Sequence, residues 1–305
     1  MQDTGGGAQV IIDASLGTAV PEVGSRVGRY RLLQELGKGG MGVVFEALDP
    51  ELDRKVAIKL LHARFDKTQL VREARALARL SHPNVVTIYD VGEVDSRTFI
   101  AMELIDGVTF RGWLSQRTRG YREILDVLMA AGRGLAAAHA AELVHRDFKP
   151  ENVMVGYDGR VRVLDFGIVS AVAARATSTP PSERALAADS VDSQQATLSS
   201  SFTGTPAYMA PEQLTAHAID ERADQFSFCV VLWEAMYGER PFQGAMLSER
   251  VHGIAAMKAN EAPASLAPAW LHRLIVRGLS GNLGARHASM EALIAAIEAG
   301  LAREA

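Results

Sequence analysis

His145-Arg146-Asp147-Phe148-Lys149-Pro150-Glu151-Asn152, followed thirteen residues after its last member by Asp165-Phe166-Gly167, is the stretch on which the reading of this chain turns. In-line phosphoryl transfer needs a group that orients the attacking hydroxyl, a cation against phosphate charge, and oxygen ligands for magnesium. Asp147, Lys149, Asn152 and Asp165 supply those types in one order. Any one of them alone, in a loop, would carry no such meaning.

Toward the N-terminus, Gly37-Lys38-Gly39-Gly40-Met41-Gly42 fits G-x-G-x-x-G, a pattern that also fits an ordinary tight turn. Context separates its two nucleotide-binding meanings. Tyr30 to Ala47 is strand-like on both sides of the glycines, and Val43-Val44-Phe45-Glu46-Ala47 continues as a strand rather than opening a helix. That disfavours a nicotinamide oxidoreductase and predicts a glycine hairpin whose backbone can close over phosphates. A second short strand, Lys55 to Leu60, contains Val56-Ala57-Ile58-Lys59. An inward-pointing ammonium needs a partner. Glu73, on the helical face of Leu70 and Leu77, can hold Lys59 where it meets phosphate oxygens; the plainer alternative is a solvated surface pair.

The rest of the first hundred residues reads as sheet plus one helix. Asp66 is expected to cap a helix through Leu70, Ala74, Leu77 and Ala78, with further strands at Val85 to Tyr89 and Thr98 to Leu104. After Asp106-Gly107 the pattern turns helical: Ile124, Leu128, Ala131, Leu135 and Ala138 form one stripe, and Ala223 to Tyr237 is apolar on nearly every side, which predicts burial. Ser170 to Ser201, rich in Ala, Ser and Thr, is expected to be mobile. A sheet half and a helical half predict a crevice between them.

Composition bounds the alternatives. Of 305 residues 48% are hydrophobic and 22% charged, and 32 basic against 36 acidic side chains leave a formal charge of −4, which does not suit a nucleic-acid binder. The single cysteine, Cys229, rules out an internal disulfide and a multi-cysteine zinc site, and fits a reducing compartment. Met1 to Val20 has no Lys or Arg ahead of Val10-Ile11-Ile12, unlike an export signal, and the apolar run Phe226 to Trp233 falls short of the ~20 residues of a bilayer span. No membrane anchor is expected in this chain.

Taken together these motifs resemble the protein kinase superfamily, in its serine/threonine branch and of bacterial type, over about Tyr30 to Ile297. The resemblance implies an α+β, two-lobed fold. After a flexible tail at residues 1–28, residues 29–106 would form a small antiparallel β-sheet lobe with one main helix. Residues 107–300 would form a larger, mostly helical lobe, and residues 301–305 the end. It implies that Leu36 and the stretch Gly37, Lys38, Gly39, Gly40, Met41, Gly42 cover ATP, and that Lys59 binds the α and β phosphates with Glu73 as partner. Met102 would stand beside the adenine, Glu103 and Ile105 would offer it backbone groups, and Val44, Ala57 and Met154 would sandwich the ring. Asp147 would be the catalytic base, with Lys149 beside it, and Asn152 and Asp165 would hold Mg2+, with Mn2+ as a possible substitute. Leu77, Ile88, His145 and Phe166 look like a stacked spine with Asp224 at its base.

Thr203-Gly204-Thr205-Pro206-Ala207-Tyr208-Met209-Ala210-Pro211-Glu212 resembles the end of a kinase activation segment, residues 165–212. Thr205 would meet the substrate backbone, and Glu212 would pair with Arg286 beneath the segment. Lys149, two residues after Asp147, looks like serine/threonine specificity, and Ala210-Pro211-Glu212 points to protein substrates rather than small molecules. Arg146 would answer a phosphate on the segment, with Arg72 as a second arm; the acceptors would be among Thr197, Ser199, Ser200, Ser201 and Thr203. Autophosphorylation in trans and a cytoplasmic location are expected. Bacterial relatives often carry an anchor and sensor after this domain, so input here is expected from a partner, the tail or trans-phosphorylation.

The chain departs from the family pattern in four places. Forty-two residues separate Gly167 from Ala210, so residues 176–196 look inserted. Phe148 stands where Leu is common, Cys229 where Gly is common, and Asn282-Leu283 where Asp-Pro is common. None removes a catalytic group, yet the alternative of a pseudokinase that binds without transfer stays open at this point. Cys229 is expected to be a packing residue rather than a redox sensor, and His139, His217 and His252 receive no role.

Overall fold

Apolar residues at every second position on either side of the glycine cluster, Tyr30 and Leu32 before it and Val43, Phe45 and Ala47 after it, bury one face of a sheet, as the period of two along a strand allows. The computed structural model describes residues 21–62, 67–95, 97–166, 206–214, 219–242 and 267–304. Six strands, β1 (Arg26–Val27), β2 (Tyr30–Gly39), β3 (Gly42–Asp49), β4 (Arg54–Leu61), β5 (Ile88–Val94) and β6 (Arg97–Glu103), pair antiparallel in the order β1-β2-β3-β4-β6-β5. In β4, Val56, Ile58 and Leu60 enter one apolar cluster while Ala57 and Leu61 enter the other. Lys59 therefore shares the face of Ala57 and Leu61, turned toward the helical half. One helix, α1 (Lys67–Ala78), buries Ala74 and Leu77 against this face.

One strand starts later than its sequence suggests. The run Val85 to Tyr89 is not one strand: β5 begins at Ile88, and Val85 and Val86 instead join the other half of the molecule. Val86 N–H donates to the Val163 carbonyl (3.0 Å), Val163 N–H to that of Asn84 (2.9 Å), and the Asn84 side-chain amide to that of Val161 (2.9 Å). Local β-propensity cannot distinguish these two partners, because both satisfy the backbone equally well.

The helical half begins with β7 (Gly107–Thr109) and α2 (Phe110–Ser115), followed by α3 (Tyr121–Ala140). All five residues of the expected α3 stripe are buried. Strands β8 (Val153–Gly156) and β9 (Val161–Val163) complete a three-stranded sheet with β7. Among the described residues the α-helices that follow are α4 (Pro211–Leu214), α5 (Arg222–Tyr237), α6 (Ala269–Gly278) and α7 (Met290–Glu304). Helix α5 is buried along most of its length, as its all-round apolarity predicts, and packs on α3 and α6. Cys229 is fully buried there, its thiol pushed up to about 12 by burial, and faces Gly278 so closely that a Cβ at that glycine would lie 2.2 Å from Sγ. The packing reading of Cys229 fits this. Among the described residues no helix is long and apolar enough to cross a membrane. The tail before residue 21, Asp66, Gly167, the run Ser170 to Ser201 with residues 176–196, the acceptors Thr197, Ser199, Ser200, Ser201 and Thr203, Thr205, His217 and His252 lie outside the described residues.

Candidate active site

The β8–β9 hairpin builds the floor of the site. Its register sets Val153 opposite Val163, so Asn152, just before β8, comes beside Leu164, just after β9. Leu164 N–H donates to the Asn152 carbonyl at 2.8 Å, and Asp165 follows directly. Asn152 turns its side-chain N–H2 back to the Asp147 carbonyl (2.8 Å), with the Asp147 carboxylate at 3.4 Å, while Lys149 Nζ lies 2.6 Å from Asp147 Oδ2. From the sheet above, Lys59 Nζ reaches Asp165 Oδ1 at 2.7 Å. Two sets of side-chain contacts, Asp147 with Lys149 and Asn152 and Lys59 with Asp165, are thus set side by side by the backbone bond between Leu164 and Asn152.

Two of these backbone positions are strained. Arg146 (φ 63°) and Asp165 (φ 51°) occupy the left-handed region, which costs a non-glycine residue on the order of 1 kcal/mol or more and persists only where the surroundings impose it. At Arg146 the surroundings are visible. Asp224, fully buried on α5, accepts the backbone N–H of His145 and of Arg146, both at 2.7 Å, and the Arg146 carbonyl accepts from Gln213 Nε2 at 2.8 Å. Gln213 also accepts the Ala210 N–H (2.9 Å), so one side chain ties residues 206–213 to the loop around Arg146. His139, assigned nothing from sequence, bonds Asp224 through Nε2 at 2.8 Å.

His145 links loop and strand. Its Nδ1 accepts the Asp147 N–H (3.2 Å) and its Nε2 faces the Leu164 carbonyl (2.7 Å), an acceptor, so the ring carries its proton on Nε2. Its ring lies 4.7 Å from that of Phe166 and 5.8 Å from that of Phe148. Leu77, Ile88 and Phe166 are buried in one cluster with Phe148, which therefore fills core volume where Leu was the expected residue.

Electrostatics favour an ionised Asp165. Burial by itself would raise its carboxyl, but the Lys59 ammonium overrides that effect and, with Lys149 nearby, holds it below the usual carboxylate range. Glu73, the expected partner of Lys59, stands half-buried on α1, and Lys59 itself is paired with Asp165. Ala57 and Met102 are paired in register between β4 and β6 and buried, with Val44 and Ile105 packed against the same cluster. Met154 is half-buried on β8, and Leu36 is exposed beside the hairpin. Glu103 N–H donates to the Thr87 carbonyl (2.9 Å), and its carboxylate meets the buried Arg162 at 2.7 Å, a pair that no motif announced.

The donor set suits a phosphate-bound divalent cation. Among the described residues no group of three or more His, Cys, Asp or Glu gathers as a self-sufficient cage. Magnesium usually takes one or two carboxylates plus substrate phosphates, which matches Asp165 and the Asn152 amide oxygen left over from its N–H2 bond. The hairpin fits phosphates as well: a Cβ at Gly37 or Gly39 would meet no protein atom within 4 Å, so those glycines answer to no neighbour inside the chain.

Behind the loop, Arg286 forms a forked pair with Glu212, at 2.8 and 2.9 Å, both side chains buried. Its remaining donors go to the Ser280 and Arg222 carbonyls, 2.8 Å each. This is the pair expected from sequence.

Comparison with known proteins agrees with this geometry. The family model described as protein kinase domain matches residues 30–293. The chain is 35% identical to the serine/threonine-protein kinase PknE of Mycobacterium tuberculosis over 94% of its length and 48% of the relative's. It is 38% identical to PknA of the same organism over 73% of its length and 50% of the relative's, and 37% identical to the probable serine/threonine-protein kinase pknA2 of Bifidobacterium longum over 70% and 27%. It thus spans from about a quarter to half of these relatives. The kinase domain of M. tuberculosis PknI superposes with a TM-score of 0.67 at 24% identity, covering 92% of this chain and 99% of that domain, which shows a shared two-lobed fold.

Proposed function

We propose, from the premise that this chain belongs to the protein kinase domain family, that it transfers the γ-phosphoryl group of ATP to serine or threonine hydroxyls of proteins. The observation that carries the reading is the juxtaposition of Asp147, Lys149 and Asn152 with the Lys59 and Asp165 pair, set side by side by the Leu164–Asn152 backbone bond, on a loop that Asp224 holds. Asp147 orients the hydroxyl and takes its proton, with Lys149 beside it to hold the carboxylate and meet phosphate charge. Lys59 contacts the α and β phosphates, with Glu73 as the residue we assign to hold it there. Gly37 to Gly42 close over the triphosphate, and Val44, Ala57, Met102, Glu103, Ile105 and Met154 receive the adenine. Asn152 and Asp165 would hold Mg2+, which neutralises charge on the phosphate oxygens when bound.

Regulation follows from Arg146, whose Nε is buried without a hydrogen-bond partner among the described residues. A phosphate on Thr197, Ser199, Ser200, Ser201 or Thr203 would supply an acceptor, and trans autophosphorylation is the route we assign. A cytoplasmic setting suits an ATP-consuming chain whose sole cysteine is buried. For boundaries we take residues 29–106 and 107–300 as the two lobes.

Labelled ATP, magnesium and a generic protein substrate test the assignment directly. The wild-type chain should transfer label, and Asp147→Asn should keep the fold while losing about 10² to 10⁴ in rate. A chain that binds ATP yet labels nothing would leave the scaffold reading in its place. Phosphopeptide mapping of the same reaction identifies the acceptors.

A further inference from the structure

Behind the segment assigned to the adenine lies a buried ion pair that the transfer reading does not use. Glu103 ends β6, and its Oε1 meets Arg162 Nη2 on β9 at 2.7 Å, the two side chains being 20% and 5% exposed. A second route joins the same two residues. Glu103 N–H donates to the Thr87 carbonyl (2.9 Å), and the preceding Val86 donates its N–H to the carbonyl of Val163, the neighbour of Arg162 (3.0 Å). Side chains and backbone thus close a ring through Glu103, Thr87, Val86, Val163 and Arg162, which ties the end of β6 to the β8–β9 hairpin. Arg162 stands opposite Met154 in that hairpin's register. The residue that grips Glu103 therefore belongs to the same floor on which Met154 is assigned to the adenine.

Stability gives this pair little reason to exist. Taking two charges out of water costs about as much as their attraction returns, and well-packed apolar residues in their place are often as stable or more so. The balance is worse here, because Arg162 Nη1 is buried without a hydrogen-bond partner among the described residues. What the pair supplies is position. The β4–β6 ladder ends at Glu103, so the direction of the backbone beyond it depends on what holds that residue.

We propose that Arg162 is a positioning residue for the purine: by holding the Glu103 carboxylate it aims the Glu103 and Ile105 backbone groups at the adenine edge, and so sets discrimination between a 6-amino and a 6-oxo purine. The assignment rests on the transferase reading and deepens it. Its test uses the full chain, magnesium, a generic protein substrate, and ATP or inosine triphosphate as phosphoryl donor. Wild type should prefer ATP by about tenfold or more in kcat/KM, since a carbonyl aimed at the purine accepts the 6-amino N–H and repels a 6-oxo group. In Arg162→Met the preference should fall to within about threefold, chiefly through a raised KM for ATP, with kcat at saturating ATP within about twofold of wild type. Arg162→Lys should keep the wild-type preference, because the contact to Glu103 uses one nitrogen rather than a fork.

Should Arg162→Met fail to fold with Glu103 left uncompensated, the double variant Arg162→Met, Glu103→Met decides. It leaves neither charge behind and should lose the preference as well. Equal use of the two nucleotides by wild type, an ATP preference kept in the single or the double variant, or a fall in kcat with the KM for ATP unmoved would each overturn the assignment alone. Absence of transfer to any hydroxyl by wild type, the chain's own included, would overturn the transferase reading and the assignment with it.

Discussion

Gly42 and Gly39 belong to one motif and answer to different constraints. At Gly42 φ is 157° and a Cβ would lie 2.0 Å from the Leu60 carbonyl oxygen on the neighbouring strand, whereas at Gly39 it would meet nothing. Gly42→Ala is therefore expected to lower the unfolding free energy by about 2 kcal/mol or more in denaturant titration. Gly39→Ala should stay within roughly 0.5 kcal/mol of wild type but, on the proposed reading, raise the KM for ATP about tenfold, because the side chain would intrude where phosphate oxygens are proposed to meet the backbone. Equal stability losses in the two variants would contradict this division. Asp165 carries a second expectation at this scale. Calorimetry of Asp165→Ala should show ATP affinity that no longer responds to magnesium; an intact magnesium response would remove Asp165 from the metal site. Glycine spacing and the acidic motif both stood in the sequence, but which glycine serves the fold could be read only from the distance to Leu60.

Helix α5 is the element on which the loop around Asp147 depends. Its Asp224 accepts two loop N–H groups, its Ser227 hydroxyl donates to the Tyr208 carbonyl at 2.8 Å, and its Phe226 ring lies under the Arg286 guanidinium at 5.0 Å. The Glu212 and Arg286 pair locks α4 to the turn before α7. Because both charges are buried, removing one leaves the other uncompensated, at a cost of about 3 to 5 kcal/mol. Arg286→Ala should cost more than Glu212→Gln, since it also strips donors from the Ser280 and Arg222 carbonyls. Chemical denaturation of both variants checks the order, and the reverse ranking would mean that the carbonyl bonds contribute little. The family resemblance carried by the stretch ending in Ala210-Pro211-Glu212 implied this pair. Gln213, the very next residue, holds the same junction and carries no signal, because a glutamine's usefulness depends on which backbone groups happen to face it.

For the molecule as a whole, burial lowers His82 and His287 from the ordinary value of 6.5. A lowered imidazole stays neutral when folded while the unfolded chain takes up the proton first. The stability it contributes is present above about pH 6.5 and is lost as pH falls through the folded-state value. The midpoint of thermal unfolding should therefore drop between about pH 7 and pH 5, and less so in His287→Gln. An identical pH profile in the variant would exclude His287 as a source. Lowered carboxyls such as Asp165 act in the same direction but only in the more acid carboxylate range, so the two windows separate. The sequence by itself determined the two halves, the hairpin, the buried helix and the motif residues that the structure gathers at the candidate site. Each of these rests on local period or on residue types whose chemistry has few uses. Only the tertiary structure decided that Val85 and Val86 leave the upper sheet for Val163, that Asp224 holds Arg146 in a strained conformation, and that Arg162 pairs with Glu103. Those contacts join residues far apart in the chain, and their partners are selected by where packed elements bring unsatisfied groups together, which no spacing along the sequence encodes.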